Sequence, residues 1–137
     1  MTDLDWQLRG ACRAHPDLDA DAWFPHESDL AAAKTATDVC RKDCAVVHAC
    51  AAWALDHGER SGIWGGLTAK DRRKILRERA KDVDRETNAV ALYRKLRPGM
   101  RSDYQAHVAV ADAFRVHHRT VLKWVTAAAS HEGAPAT

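Results

Sequence analysis

Four cysteines constrain what this chain of 137 residues can fold into more than any other feature. Cys12 stands alone, while Cys40, Cys44 and Cys50 crowd into eleven residues. Thiolate sulfur is a soft, strongly binding ligand, so four sulfurs brought to one point will hold zinc or an iron–sulfur core in a reducing compartment. Disulfides persist mainly in oxidising compartments. The N-terminus, Met1-Thr2-Asp3-Leu4-Asp5-Trp6, is acidic and polar and lacks the basic and apolar regions of a signal peptide. Apolar runs are broken by charge every few residues, well short of the ~20 apolar positions that a spanning helix needs. The chain is read as soluble and cytoplasmic, with no membrane partner.

The formal charge of +2 hides two unlike halves. Residues 1–66 hold 6 Lys/Arg against 11 Asp/Glu, and residues 67–137 hold 15 against 8. Such asymmetry points the second half at a polyanion, nucleic acid above all, and gives the first half another task.

The expected fold class is all-α, because almost no segment alternates with the period of two of a half-buried strand. A short helix fits Asp3 to Arg9, with Gly10 as a left-handed cap. Asp17 to Pro25 reads as loop. A second helix runs from an N-cap at Ser28 to near Val39, and a third from Ala45 to His57, stopped by Gly58. Gly62-Ile63-Trp64-Gly65-Gly66 reads as a packed turn whose glycines allow positive φ. Thr68 and Asp71 form a capping box for a helix from Ala69 to Lys81. Asp82-Val83-Asp84 interrupts it before a helix from Arg85 to Leu96, which Pro98-Gly99 ends.

The intervals between the cysteines do not match the paired C-x2-4-C units of zinc ribbons and knuckles, so they lean towards iron and sulfide. Cys40 and Cys44 would share a helical face if the second helix reached them. Buried apolar cysteines and a zinc site are the competing readings. His15 and His48, beside cysteines, are read as solvated or hydrogen-bonded, and Ala52, Trp53 and Leu55 as core. Trp6, Trp23, Phe24 and Trp64 are too many large aromatics for so small an interior, which places some of them at a surface.

From Val108 to Val125 the apolar positions fall where a helix-turn-helix packs its two helices. Ala111 allows a close crossing, Val116 anchors the turn, and Val121 and Trp124 face inward. His117, His118, Arg119 and Lys123 then lie on the outward start of the recognition helix, with Arg119 matched to the paired acceptors of guanine. Arg115 stands where glycine is usual, and His117 where a Ser or Thr cap is usual. An ordinary helical pair with a solvated basic face is the alternative. Ala127 to Thr137 reads as a frayed tail.

Trp6 before Ala11-Cys12, then Trp23-Phe24-Pro25, Ala33-Lys34, the three clustered cysteines and Gly62-Ile63-Trp64-Gly65-Gly66-Leu67-Thr68 together resemble the WhiB-like family of actinobacteria and their phages. The resemblance covers about residues 6 to 77. It implies a 4Fe-4S cluster on Cys12, Cys40, Cys44 and Cys50 that responds to oxygen and nitric oxide. It also implies docking on the C-terminal region of the primary sigma factor, for which Trp6, Trp23, Phe24 and Trp64 are the candidates, with Gly62, Gly65 and Gly66 shaping the turn. Just after that turn the family places a basic DNA-contacting region, here Arg72, Arg73 and Lys74 among Lys70, Arg77, Arg79 and Lys81. The usual C-x2-C is C-x3-C here, which weakens transfer of the disulfide reductase activity credited to apo members. Arg13, Arg41 and Lys42 near the thiolates would favour a reduced cluster, and Asp43 would oppose it.

The expected organisation is a cluster-bearing, sigma-docking domain over residues 1–79 and a helix-turn-helix domain over 80–137. The expected function is a redox- or nitric-oxide-responsive transcriptional regulator on promoter DNA, with sensing and not turnover as its chemistry and no small-molecule substrate. A thiol-disulfide oxidoreductase acting as the apo-protein and a zinc-stabilised DNA-binding module are the alternatives.

Overall fold

The computed structural model describes residues Leu4–Gly133, and among them the only regular elements are helices. Three short 3₁₀ turns, Asp5–Arg9, Ala11–Arg13 and Ala20–Trp23, precede α1 (Leu30–Asp43) and α2 (Val47–Asp56). A glycine-rich turn leads into α3 (Ala69–Leu96), and a 3₁₀ turn at Arg97–Gly99 separates that helix from α4 (Asp103–Phe114) and α5 (His118–Glu132). The all-α expectation holds. No helix among the described residues is long and apolar enough to cross a membrane. The chain forms two compact units, Met1–Arg77 and Glu78–Thr137, with the boundary inside α3.

In the first unit, Trp23, Ala36 and Cys40 form the buried centre, with Leu18, Val39, Val47 and Ile63 packed on it. The turns Ala11–Arg13 and Ala20–Trp23 lie on α1, and Asp5–Arg9 lies on α2. Several local expectations are corrected. Gly10 is not left-handed, at φ −67°. It caps the next turn instead, where a Cβ would sit 3.3 Å from the Gln7 carbonyl oxygen and 3.4 Å from the Cys12 sulfur. The stretch Asp17–Pro25 is not plain loop, because the Asp19 carboxylate accepts from the Ala22 amide and starts a 3₁₀ turn. Asp29, not Ser28, caps α1 by accepting from the Ala32 amide at 3.0 Å, while the Ser28 hydroxyl pairs with His26 at 2.7 Å. Ala52 is exposed, on the outer side of α2, whereas Leu55 is buried.

Thr68 and Asp71 form the expected reciprocal capping box, with amide-to-side-chain distances of 3.0 Å both ways. The break at Asp82-Val83-Asp84 is absent and α3 runs through it. Those residues carry only a few tenths of a kcal/mol of unfavourable helix propensity each, and none lacks an amide proton, so nothing forces a stop.

In the second unit, Ala89 of α3, Val110 and Ala111 of α4 and Val121 of α5 make the core, and Phe114, Val116, Trp124 and Val125 pack around it. Phe114 ends α4, and Arg115 takes the left-handed conformation at φ 53°, ψ 50°. The Val116 amide then donates to the Ala111 carbonyl at 3.0 Å, closing the helix end. His117 caps α5, its Nδ1 accepting from the Arg119 amide at 3.2 Å. The residues from 127 to 132 are helical and not a frayed tail, since α5 continues to Glu132. The last four residues lie outside the described ones.

Candidate metal centre

Each cysteine is delivered by a different piece of local structure. Cys12 sits exposed in the turn Ala11–Arg13, and Cys40 lies buried in the last turn of α1. Helix α1 ends at Asp43, so Cys44 is its C-cap with extended backbone, φ −91° and ψ 116°. Cys40 and Cys44 therefore do not share a helical face, and the extra residue of C-x3-C is taken up where the helix stops. Cys50 lies in the first turn of α2, where its amide donates to the Val46 carbonyl at 2.9 Å.

All four line one cavity of about 280 Å³, walled also by Trp6, Trp23, Phe24, Ile63 and Trp64. That space is many times the ~10–15 Å³ that admits one water molecule. Among the described residues, no three His, Cys, Asp or Glu side chains form a group that could hold a single metal ion. The sulfurs ring a wider space instead. Trp23 on the wall has a buried indole N–H without a hydrogen-bond partner among the described residues, so an acceptor-rich guest suits the site.

Burial pushes the Cys50 thiol up to about 11, and the Gly65 backbone opposes it. Burial likewise raises Cys40, against the Gly66 backbone, and raises Cys12, with Cys44 adding to the effect. These thiols stay protonated near neutral pH, so a metal guest must displace their protons. Arg13 pulls Cys12 down and Arg41 pulls Cys40 down, as cations beside thiolates do.

The glycine turn is built against the site. Trp64 and Leu67 pair through backbone hydrogen bonds of 3.1 and 3.0 Å, with Gly65 and Gly66 between them at φ 57° and 73°. Two consecutive positive φ values are what a tight type I′ turn requires. A Cβ on Gly65 would lie 2.4 Å from the Ala51 amide nitrogen and 2.5 Å from the Val47 carbonyl oxygen, so only glycine lets the turn reach α2. At Gly62, a Cβ would meet the Phe24 ring at 2.7 Å. Arg41 donates to the Gly66 carbonyl at 3.0 Å, tying the end of α1 to the turn.

Arg72 corrects the sequence reading. It is 1% exposed and donates to the carbonyls of Glu59, Ser61, Gly62 and Leu67 at 2.9–3.2 Å. A guanidinium enclosed in this way reaches no phosphate, so Arg72 is withdrawn as a DNA contact. Arg73 is half exposed and pairs with Glu27 at 2.8 Å, and Lys74 is exposed. Ile75, three residues on and half-buried, marks the inward face of α3 that Arg72 shares. That was the available signal.

The aromatics divide too. Trp23 is 6% exposed and belongs to the core, which removes it as a docking anchor. Phe24 is 59% exposed, while Trp6 and Trp64 are half-buried. Trp53, read only as core, joins them: its ring lies 6.3 Å from Trp6, 5.3 Å from Trp64 and 4.3 Å from His57. His15 accepts from the Asp17 amide at 3.3 Å, and His48 is exposed. In the second unit Arg119 and Lys123 are exposed on α5, His117 is engaged as its cap, and His118 is half-buried edge-on to Tyr104 at 5.3 Å.

Residues 6–75 match the family described as transcription factor WhiB. The transcriptional regulator WhiB2 of Bifidobacterium longum is 40% identical over 76 residues, 56% of this chain and 71% of that protein. The redox- and pH-responsive transcriptional regulator WhiB3 of Mycobacterium tuberculosis is 36% identical over 78 residues, 53% of this chain and 72% of its own. The transcriptional regulator WhiB1 of Mycobacterium tuberculosis is 36% identical over 81 residues, covering 57% of this chain and 92% of that protein. With a family match over half its length, and cysteines and glycine turn gathered around one cavity, the chain belongs to the WhiB family of transcription factors.

Proposed function

We propose that the protein is a redox- or nitric-oxide-responsive transcriptional regulator that holds a 4Fe-4S cluster on Cys12, Cys40, Cys44 and Cys50. One observation carries the reading: four sulfurs from separate stretches line a single cavity of about 280 Å³. A mononuclear zinc site draws its ligands to ~2.3 Å from one ion, which a cavity of that size does not suit. When bound, the cluster supplies one-electron redox chemistry and a target for oxygen and nitric oxide. The chain supplies the rest. Gly65 and Gly66 present backbone polar groups to Cys50 and Cys40, Arg13 and Arg41 add positive charge, and the aromatic wall limits water; each is a lever on potential and lifetime. Anaerobic purification should give a brown protein with iron and acid-labile sulfide near four each per chain. Colourless, iron-free material prepared without air would overturn the assignment.

An apo-protein oxidoreductase needs a thiolate nucleophile with a lowered pKa. Burial raises Cys12, Cys40 and Cys50, which suits none of these three to that role. Exposed Phe24 and half-buried Trp64 and Trp6 at the cavity wall are the anchors for the C-terminal region of the primary sigma factor, as rigid aromatics bury large area at low entropic cost. Phe24→Ala and Trp64→Ala should each reduce co-purification with sigma, and equal recovery would remove the patch from the reading. The residues Lys70, Lys74, Arg119 and Lys123 are exposed cations for promoter DNA, with α4 and α5 as the helix-turn-helix. DNA affinity should then fall steeply with salt, and a flat response would contradict the contact.

A further inference from the structure

We propose that α5 reads DNA sequence through two neighbouring side chains, Arg119 on a guanine and Leu122 on the methyl group of a nearby thymine; this rests on the DNA-binding reading above. Val121 is fully buried, and Trp124 and Val125 pack on the same core, so that side of α5 faces the interior. At 3.6 residues per turn, Arg119, Lys123 and Thr126 emerge on the opposite side, and all three are exposed. Leu122 borders that stripe and is 46% exposed. A lone exposed leucine is ordinary on a protein surface. This one sits three residues after Arg119 and one before Lys123, an apolar spot at the edge of a polar, cationic face turned away from the core.

The major groove offers one apolar feature, the thymine C5-methyl, and one paired acceptor edge matched to a guanidinium, that of guanine. Side chains three apart on a helix stand ~5–6 Å apart, which spans one to two base steps of ~3.4 Å. Arg119 and Leu122 therefore reach bases within about two pairs of each other. The two histidines are otherwise engaged. His117 spends its Nδ1 on the Arg119 amide, and His118 is held against Tyr104. Lys123, a point charge, suits a phosphate.

The full chain, purified without air, is used to select from randomised duplexes, and the selected duplex is titrated with wild type, Leu122→Ala and Arg119→Ala. Selected sites should carry a guanine with a thymine within about two pairs. Replacing that thymine by deoxyuridine removes only the methyl and should weaken wild type about fourfold, the worth of one buried carbon. Leu122→Ala should bind both duplexes alike, and Arg119→Ala should lose roughly tenfold or more of its guanine preference. Binding without base preference, or a methyl effect that survives Leu122→Ala, overturns this inference and leaves the DNA reading standing. If no duplex is retained, the DNA reading falls and this inference with it.

Discussion

Replacing Arg72 by Met tests whether the residue is a structural staple or a phosphate contact. Its guanidinium gathers four carbonyls, those of Glu59, Ser61, Gly62 and Leu67, from both sides of the glycine turn. A hydrogen bond from a charged donor is worth about 1.5–3 kcal/mol. Burying the cation costs part of that sum, as its pKa, pulled down chiefly by burial, reflects, and water reaches some carbonyls once the side chain is gone, since Ser61 is exposed. The net loss should be about 3–4 kcal/mol, as expected when several carbonyls lose their donor and each one left buried without a partner costs ~1–3 kcal/mol. Urea unfolding followed by tryptophan fluorescence reads it, because Trp6, Trp23, Trp53 and Trp64 all lie in the first unit. At a slope of about 1.5 kcal/mol per molar, the midpoint should fall by about 2 M. Arg73→Met, which removes one exposed pair with Glu27, should cost under about 1 kcal/mol. If Arg72→Met unfolds within 1 kcal/mol of wild type while DNA affinity drops, the staple argument is refuted.

Gly65→Ala should expel the turn from α2, since its Cβ meets backbone at 2.4–2.5 Å and φ is 57°; a loss of about 2–3 kcal/mol and of visible cluster absorbance is expected, and an unchanged spectrum would count against the turn's role. Arg115→Gly should stabilise the second unit by about 0.5–1 kcal/mol, because φ 53° strains any residue with a Cβ, and a thermal melt that shifts downward would show otherwise. Cluster-free protein should lose stability as pH rises from 9.0 through about 11: the folded Cys50 holds its proton more tightly than the unfolded one, so its contribution is complete below the unfolded pKa and gone above the folded one. Urea midpoints at pH 8, 9.5 and 11 measure this, and Cys50→Ser should flatten the slope.

Which parts were legible in the linear chain follows from how local their causes are. The capping box at Thr68 and Asp71, the positive φ of Gly62, Gly65 and Gly66 and the helix end at Phe114 each depend on a few adjacent residues. The turn between α4 and α5 was readable as well, because Arg115 takes the left-handed position where glycine is usual. Gly10 misled because glycine serves two ends, positive φ and close approach, and only the contact with Cys12 tells which. Asp82-Val83-Asp84 misled because weak local preference yields to a continuing hydrogen-bond ladder.

By itself the amino-acid order determined the helical class, the four cysteines that the cavity gathers and the family, since periodicity, thiol chemistry and a specific turn are properties of residue type and spacing. Tertiary structure alone decided which side chains those residues meet. It enclosed Arg72 among carbonyls while leaving Lys74 in solvent, buried Trp23 while exposing Phe24, and broke α1 at Asp43 so that Cys44 could turn towards the cavity. Chemically similar neighbours are sorted by which face of an element packs inward, and that is a long-range outcome no local propensity encodes.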